Sequence, residues 1–225
     1  MKTAETLSNH YFGTEGEKYF EWQRICGEAG ANIVANTFRK HIKQDDCVLD
    51  FGCGGGFILN RIRCGRRVGV EINPAARLVA ADNGIECFAD LSELTGQTFE
   101  VAISNHALEH VPAPLEILAR LYRLIKPDGL LVLILPIDDW RAQRRISHHD
   151  INRHFYTWTP QLLFNCLQEA GFDESGVDIS VDTHAWFPGY ASAYATLPGP
   201  LFDFGCRLYS ILKRRRQLIA VAKKT

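Results

Sequence analysis

Residues 48–58 read VLDFGCGGGFI, a run of stiff apolar residues that passes directly into four glycines within five positions. The apolar β-branched and aromatic part predicts a buried strand over Cys47 to Phe51. The glycines that follow open conformations closed to other residues and let main chain come close to a ligand. Between a strand and a helix, such a turn also aims N–H groups and the positive end of the helix at an anion. The stretch therefore predicts the opening unit of an α/β fold, with a nucleotide-type site at its turn.

Working outward, the same alternation continues. Further strands are expected at Arg67 to Ile72, Ile85 to Ala89, Val101 to Ser104, Leu130 to Leu135, Val177 to Val181 and Leu218 to Ala222. Helical patterns lie between the first five, at Gly56 to Arg63, Pro74 to Asn83 and Pro114 to Ile125, with each proline in a first turn where it is tolerated. Lys126-Pro127-Asp128-Gly129 stops the third helix and turns the chain into its longest apolar strand. Thr159-Pro160 opens another helix through Ala170, closed by Gly171. Alternating strands and helices of this kind argue for βαβ units and a mostly parallel sheet.

Two segments stand outside that alternation. Residues 14–43 look helical and carry Tyr19, Phe20, Trp22, Ile25, Ile33, Val34 and Phe38, which suits a lid or flank. Residues 183–213 form an aromatic insert with Trp186, Phe187, Tyr190 and Tyr194, followed by Leu201, Phe204, Leu208, Ile211 and Leu212 at helical spacing. This insert is either a helix packed on the sheet or a wall of an apolar substrate pocket. The Lys213-Arg214-Arg215-Arg216 run after it reads as a solvated turn, with a membrane-surface contact as the other reading.

Composition sets the class. With 225 residues, 46% hydrophobic and 23% charged, and a net charge of -1, the chain is long enough for one well-buried domain and lacks the basic excess of a nucleic-acid partner. Its seven cysteines are an odd number with no C-x-x-C pair, as expected of reduced thiols in a cytoplasmic protein. No apolar run reaches the ~18–20 residues that span a bilayer, and no secretory leader is apparent, so a soluble protein without a transmembrane segment is expected.

Which ligand does the turn take? A dinucleotide fingerprint would ask for glycine at position 57, where Phe57 stands, and no Gly-Lys-Ser/Thr follows as in a phosphate-binding loop. VLDFGCGGG instead resembles the first motif of the class I S-adenosylmethionine-dependent methyltransferases, where an acidic residue and G-x-G-x-G close the first strand. GVEINP places Glu71 at the end of the second strand, FADL places Asp90 at the end of the third, and FEVAISNHALEHVPAP and IKPDGLLVLILP are similar to the family's next motifs. The likeness covers residues 46–136 and extends weakly to RHFYTWTP, a stretch similar to one in small-molecule members.

The resemblance implies a Rossmann-like, doubly wound α/β fold: a seven-stranded, mostly parallel sheet with helices on both faces, an N-terminal helical flank and an insert before the last strand. One domain over 1–225 then divides into a flank (1–45), a cofactor-binding core (46–182), a substrate-side insert (183–213) and the last strand (214–225). It also implies S-adenosyl-L-methionine as cofactor, with S-adenosyl-L-homocysteine as product, and a small-molecule acceptor bearing a hydroxyl or amine. Asp50, Gly52, Cys53, Gly54 and Gly56 would form the cofactor turn, Glu71 would take the ribose hydroxyls, Ile72 and Leu91 would shelve the adenine, and Asp90 would approach its amino group. Asn105 and His106 would lie near the methionine part. No phosphate is present in this cofactor, so a lysine clamp is unnecessary.

The acceptor side is read from histidines and aromatics. His106-Ala107-Leu108-Glu109-His110 matches an inverted zinc-peptidase pattern, but it directly follows a strand and is broken by Pro112 and Pro114, so no metal is expected. Glu109 and His110 point to the substrate or to structure. The segment 147–156, with His148, His149 and His154, leaves the fifth strand over the same crevice and suits a general base, His149 or His154. Trp140, Tyr156 and Trp186 are candidate substrate walls. A module that binds the cofactor without catalysis, and a zinc hydrolase, remain as other readings; the oligomeric state is open.

Overall fold

In the computed structural model, residues 9–137, 145–146, 148, 150, 152–186 and 190–225 are described, Asn9 and Ala191 by their backbone alone. Seven strands form one sheet in the order β3-β2-β1-β4-β5-β7-β6. They are β1 (Cys47–Phe51), β2 (Arg66–Val70), β3 (Glu86–Phe88), β4 (Phe99–Asn105), β5 (Ile125–Pro136), β6 (Val177–Thr183) and β7 (Arg216–Lys223). The first five are parallel, and β7 runs antiparallel to both β5 and β6. Six helices accompany them: α1 (Gly13–Phe38), α2 (Pro74–Asp82), α3 (Pro114–Leu124), α4 (Pro160–Ala170), α5 (Tyr190–Thr196) and α6 (Gly199–Leu212).

Strand alternation splits the core in two. On β5, Leu131, Leu133 and Leu135 join one cluster while Val132 and Ile134 join the other, because successive side chains leave opposite faces of a strand. Leu118 and Leu121 of α3 and Leu163 and Leu167 of α4 cover the first face; Ala35 and Phe38 of α1 and Ala80 of α2 cover the second. A central strand buried on both sides reads as a continuous apolar run, as β5 does.

Local chemistry sets the helix ends. Asn73 caps α2 by accepting from the Ala75 and Ala76 N–H groups, with Pro74 in the first turn. Thr159 does the same for α4 through the Leu162 N–H, and Gly171 closes that helix in the left-handed region. The Lys126–Gly129 segment does turn the chain, but as a loop within β5: Phe99 pairs with Ile125 and Val101 with Leu130, so the intervening residues are expelled from the ladder.

One expected element is absent. The helix predicted over Gly56 to Arg63 is a single 3-10 turn, Leu59–Arg61. Gly54 and Gly56 both adopt positive φ, the Gly56 N–H turns back to the Cys53 carbonyl, and the Arg67 guanidinium takes the Ile62 carbonyl just before β2 begins. Too few residues remain for a helix, and the anion-binding argument from a helix terminus falls with it.

The strand order reverses between β1 and β4. Open α/β sheets bind ligands at that point, outside the carboxyl ends of the strands. There the glycine turn faces Asn105 and the histidines after it.

Candidate active site at the carboxyl ends of β1 and β4

The glycine turn is wired to β2. Gly52 and Cys53 donate their N–H groups to the Val70 carbonyl at 2.8 and 3.2 Å, and Gly54 donates to Glu71 Oε2 at 2.9 Å. Gly52 lies at φ +74, and a Cβ there would meet the Ala107 methyl at 2.4 Å, so the turn and the segment after β4 are in contact only because this residue has no side chain. Cys53 is buried with its sulfur 3.6 Å from that of Cys87; all seven cysteines are free thiols. It fills space beneath the turn.

Glu71 is held by main chain on both oxygens, Oε2 by Gly54 and Oε1 by the Asn73 N–H at 2.8 Å. Each carboxylate oxygen retains acceptor capacity, which suits a ribose diol. Burial raises its pKa, while the N–H groups of Asn73 and Gly54 oppose that shift. Behind it, Asp50 is 2% exposed and its Oδ2 has no hydrogen-bond partner among the described residues. Burial, and then the nearby Glu71 charge, push Asp50 up to about 7. A buried acid with an orphaned oxygen beside a glycine cradle fits a cationic, diol-bearing ligand such as S-adenosylmethionine.

The residues expected around the adenine are spread apart. Ile72 is exposed next to Glu71, whereas Leu91 is packed in the core below, leaving Ile72 as the exposed apolar surface. Asp90 caps the 3-10 turn Leu91–Leu94, accepting from the Ser92 N–H and from Arg120 at 2.7 Å. That carboxylate therefore carries a structural load.

Helix α1 covers the turn. Gln23 lies within 3.5 Å of where a Gly54 Cβ would be, and Asn73 Nδ2 donates to the Gly16 carbonyl at 2.8 Å, fastening the helix over the crevice. At its start, Tyr11 and Tyr19 are stacked edge to face, with ring centroids 5.3 Å apart. Burial raises both phenols, and the charges of Glu71 and Glu109 raise them further.

The acceptor side collects four histidines. His106 follows Asn105 at φ +51, its N–H bonded to the Ile134 carbonyl and its ring 4.8 Å from that of His184. Burial first, and then neighbouring histidines, depress His106; burial holds His184 at about 4. Glu109 is fully buried in the 3-10 turn Leu108–His110, with Oε1 3.9 Å from His110 Nε2 and 4.0 Å from His154 Nε2. Burial, and then His154, lower His110 to about 4. Because no α-helix forms here, His106 and His110 do not make the two-histidine helix face of a zinc peptidase. His154 instead joins Glu109 and His110, and their ligand atoms all lie within 4.8 Å of one another, a spacing that can hold a divalent cation.

Beside this cluster opens a cavity of about 450 Å³ lined by His10, His148, Asp150, Arg153, His154 and Phe155. Tyr156, expected as a substrate wall, is not among its lining residues, and its hydroxyl donates to the Pro112 carbonyl at 2.7 Å. The Phe155 N–H bonds the Glu109 carbonyl, which brings the 152–156 segment over the crevice. Trp186 is engaged elsewhere: its ring stacks on Tyr190 and lies under Arg215, and its backbone is tied to the Ser210 hydroxyl. His149 and Trp140 lie outside the described residues. Sequence reasoning missed Tyr11, Gln23, Asn73 and His184; only Asn73, an N-cap residue before Pro74, carried a local signal.

The chain has relatives among known proteins. The chain is 31% identical over 153 residues to a ubiquinone biosynthesis O-methyltransferase of Ruegeria pomeroyi, a match covering 56% of this chain and 59% of that protein. It is 35% identical over 94 residues to the protein of the same name from Nitrosococcus oceani, covering 36% and 40%. The chain thus spans about two fifths to three fifths of the length of these curated relatives. Among solved structures, a Haemonchus contortus phosphoethanolamine N-methyltransferase 2 in complex with S-adenosyl-L-methionine superposes with a TM-score of 0.62 at 15% identity, covering 100% of this chain and 60% of that one. The profile of a methyltransferase-domain family matches residues 22–174, more than half of the sequence, and the chain belongs to that family, the S-adenosylmethionine-dependent methyltransferases of the class I fold.

Proposed function

We propose that this chain methylates a hydroxyl group of a small molecule, using S-adenosylmethionine and releasing S-adenosylhomocysteine. The observation that carries the reading is the cluster of buried Glu109 with His110 and His154, of which His154 lines a cavity of about 450 Å³. Bound at the turn, the cofactor supplies an electrophilic methyl on a sulfonium. The turn at Gly54, Glu71 and Asp50 would hold its adenosyl amino acid, Tyr11 and Tyr19 would lie over it, and α1 would shield it from water. On the other side, His154 would take up the proton of the acceptor hydroxyl. Glu109 stabilises the imidazolium formed. Alignment of the two reactants contributes most of the rate, and the base adds a factor of about 10²–10⁴.

The names of the relatives, O-methyltransferases, support an oxygen acceptor, and a hydroxyl, unlike a neutral amine, gains from a base that takes its proton. A second reading uses the same three residues as ligands of a divalent cation that polarises the hydroxyl, favoured by their mutual spacing. The test is release of S-adenosylhomocysteine by the full chain from a panel of phenolic, alcoholic and amine acceptors, with and without a chelator. Turnover with hydroxyl acceptors alone supports the proposal, and chelator sensitivity selects the cation. Tight cofactor binding with no methyl transfer to any acceptor would sink it in favour of a binding module.

A further inference from the structure

Helix α6 is apolar on both sides. Its inner face, with Phe202, Cys206 and Ser210 buried, packs against Tyr190 and against Ala29 and Ile33 of α1. Its outer face carries Leu201, Phe204, Leu208, Ile211 and Leu212, continued backwards by Leu197, and these side chains are exposed, from 43% at Leu197 to 72% at Leu212. Spacings of three and four residues line them up as one stripe along the helix, whose 14 residues run roughly 21 Å. Scattered exposed leucines are ordinary; a continuous stripe of them marks a contact surface.

The charge around the stripe has one sign. From 190 to 216 the chain holds five basic residues, Arg207 and Lys213 to Arg216, against a single acid, Asp203. Arg215 is committed to the Trp186 ring, 4.6 Å from its centroid, but Arg207, Lys213, Arg214 and Arg216 are exposed. An apolar stripe alone would suit any greasy groove. The stripe together with a basic rim matches a surface that is apolar beneath and anionic above.

We propose that α6 is an interfacial helix that lies flat on an anionic lipid bilayer, its outer face in the boundary between headgroups and acyl chains and its four exposed cations against lipid phosphates. No spanning segment is involved: among the described residues no helix is long and apolar enough to cross a membrane. The helix is tied by Ser210 to Trp186, two residues from His184, which touches His106 in the crevice. Docking through the outer face leaves that connection intact and holds the active site close to the lipid surface. The inference concerns this face and does not depend on which acceptor is methylated.

The experiment is co-sedimentation of the full chain with phosphatidylcholine vesicles that either contain or lack phosphatidylglycerol. The expected result is binding to the anionic vesicles that weakens as salt is raised. Two variants are measured alongside, Phe204→Ser with Leu208→Ser for the stripe and Lys213→Glu with Arg214→Glu for the rim. Each is expected to lower the partition coefficient roughly tenfold or more, with the melting curve unchanged. All four positions are exposed, and the rim variant keeps the test decisive should the stripe variant misfold. Parent protein that stays in the supernatant, or parent and variants that bind equally, would overturn the proposal. So would a parent that runs as a dimer, becomes monomeric in the stripe variant and ignores vesicles, since the face would then belong to a second copy.

Discussion

The Gly54 N–H donates to Glu71 Oε2 at 2.9 Å, so the residue that shapes the cofactor turn and the residue that would hold the ribose are fixed to each other before any ligand arrives. The turn is organised by the neighbouring strand. Replacing Glu71 by Ala therefore removes ribose acceptors and loosens the loop together. Affinity for S-adenosylhomocysteine, measured by calorimetry, is expected to fall by about 1–3 kcal/mol, the scale of hydrogen bonds to a charged group. Unchanged affinity would remove Glu71 from the site.

Asp50 ties stability to pH. Its folded pKa is raised to about 7 from the usual 3.8, chiefly by burial and then by Glu71, so the folded state holds its proton more tightly than the unfolded chain. Its contribution to stability is largest below the unfolded value and is lost as pH rises from about 4 through about 7. Asp50→Asn is expected to flatten the denaturation midpoint over that window and to gain on the parent above pH 7. A variant whose pH profile runs parallel to the parent's would show that Asp50 does not titrate there.

Histidine burial acts with the opposite sign. His110 and His184 sit at about 4, depressed first by burial, with His154 and Arg215 respectively adding to it. The folded state binds fewer protons at these positions, so stability is lost as pH falls below the unfolded value of about 6.5 towards 4. His184→Gln is expected to lessen the loss on acidification, read as a smaller shift in melting temperature between neutral and mildly acidic buffer.

The Glu109–His154 pair separates binding from chemistry. His154→Ala is expected to lower kcat on a hydroxyl acceptor by about 10²–10⁴ while leaving cofactor affinity unchanged. Glu109→Gln should also slow turnover and displace its pH dependence. Equal loss of cofactor affinity in both variants would mean that the cluster is structural.

Asn73 is a hinge pin of the covering helix. One side chain caps α2 through its oxygen and holds the Gly16 carbonyl through its nitrogen. Asn73→Ala is expected to cost roughly 1–3 kcal/mol in urea denaturation and to speed cofactor exchange in stopped flow. Exchange at the parental rate would show that α1 does not cover the turn.

Much of this was legible in the residues. The β1 limits, the prolines opening α2, α3 and α4, and the glycine closing α4 follow from local propensity and capping, and the structure has them at those positions. The glycine turn after β1 was legible, but the helix expected to follow it is absent, because positive φ at Gly54 and Gly56 and the early start of β2 override an apolar pattern. Tyr11 and His184 reach the crevice through tertiary packing alone, from 95 or more residues away from His106 in one case and 78 in the other. No spacing rule links such positions. The meeting of His154 with Glu109 was foreshadowed only by the expectation that the segment after β5 folds back over the crevice.

The fastening of α1 over the glycine turn has a kinetic meaning. A ligand held beneath a helix pinned through Asn73 would be expected to leave only when that pin lets go, which would tie its residence time to the lifetime of one amide contact and the packing around it.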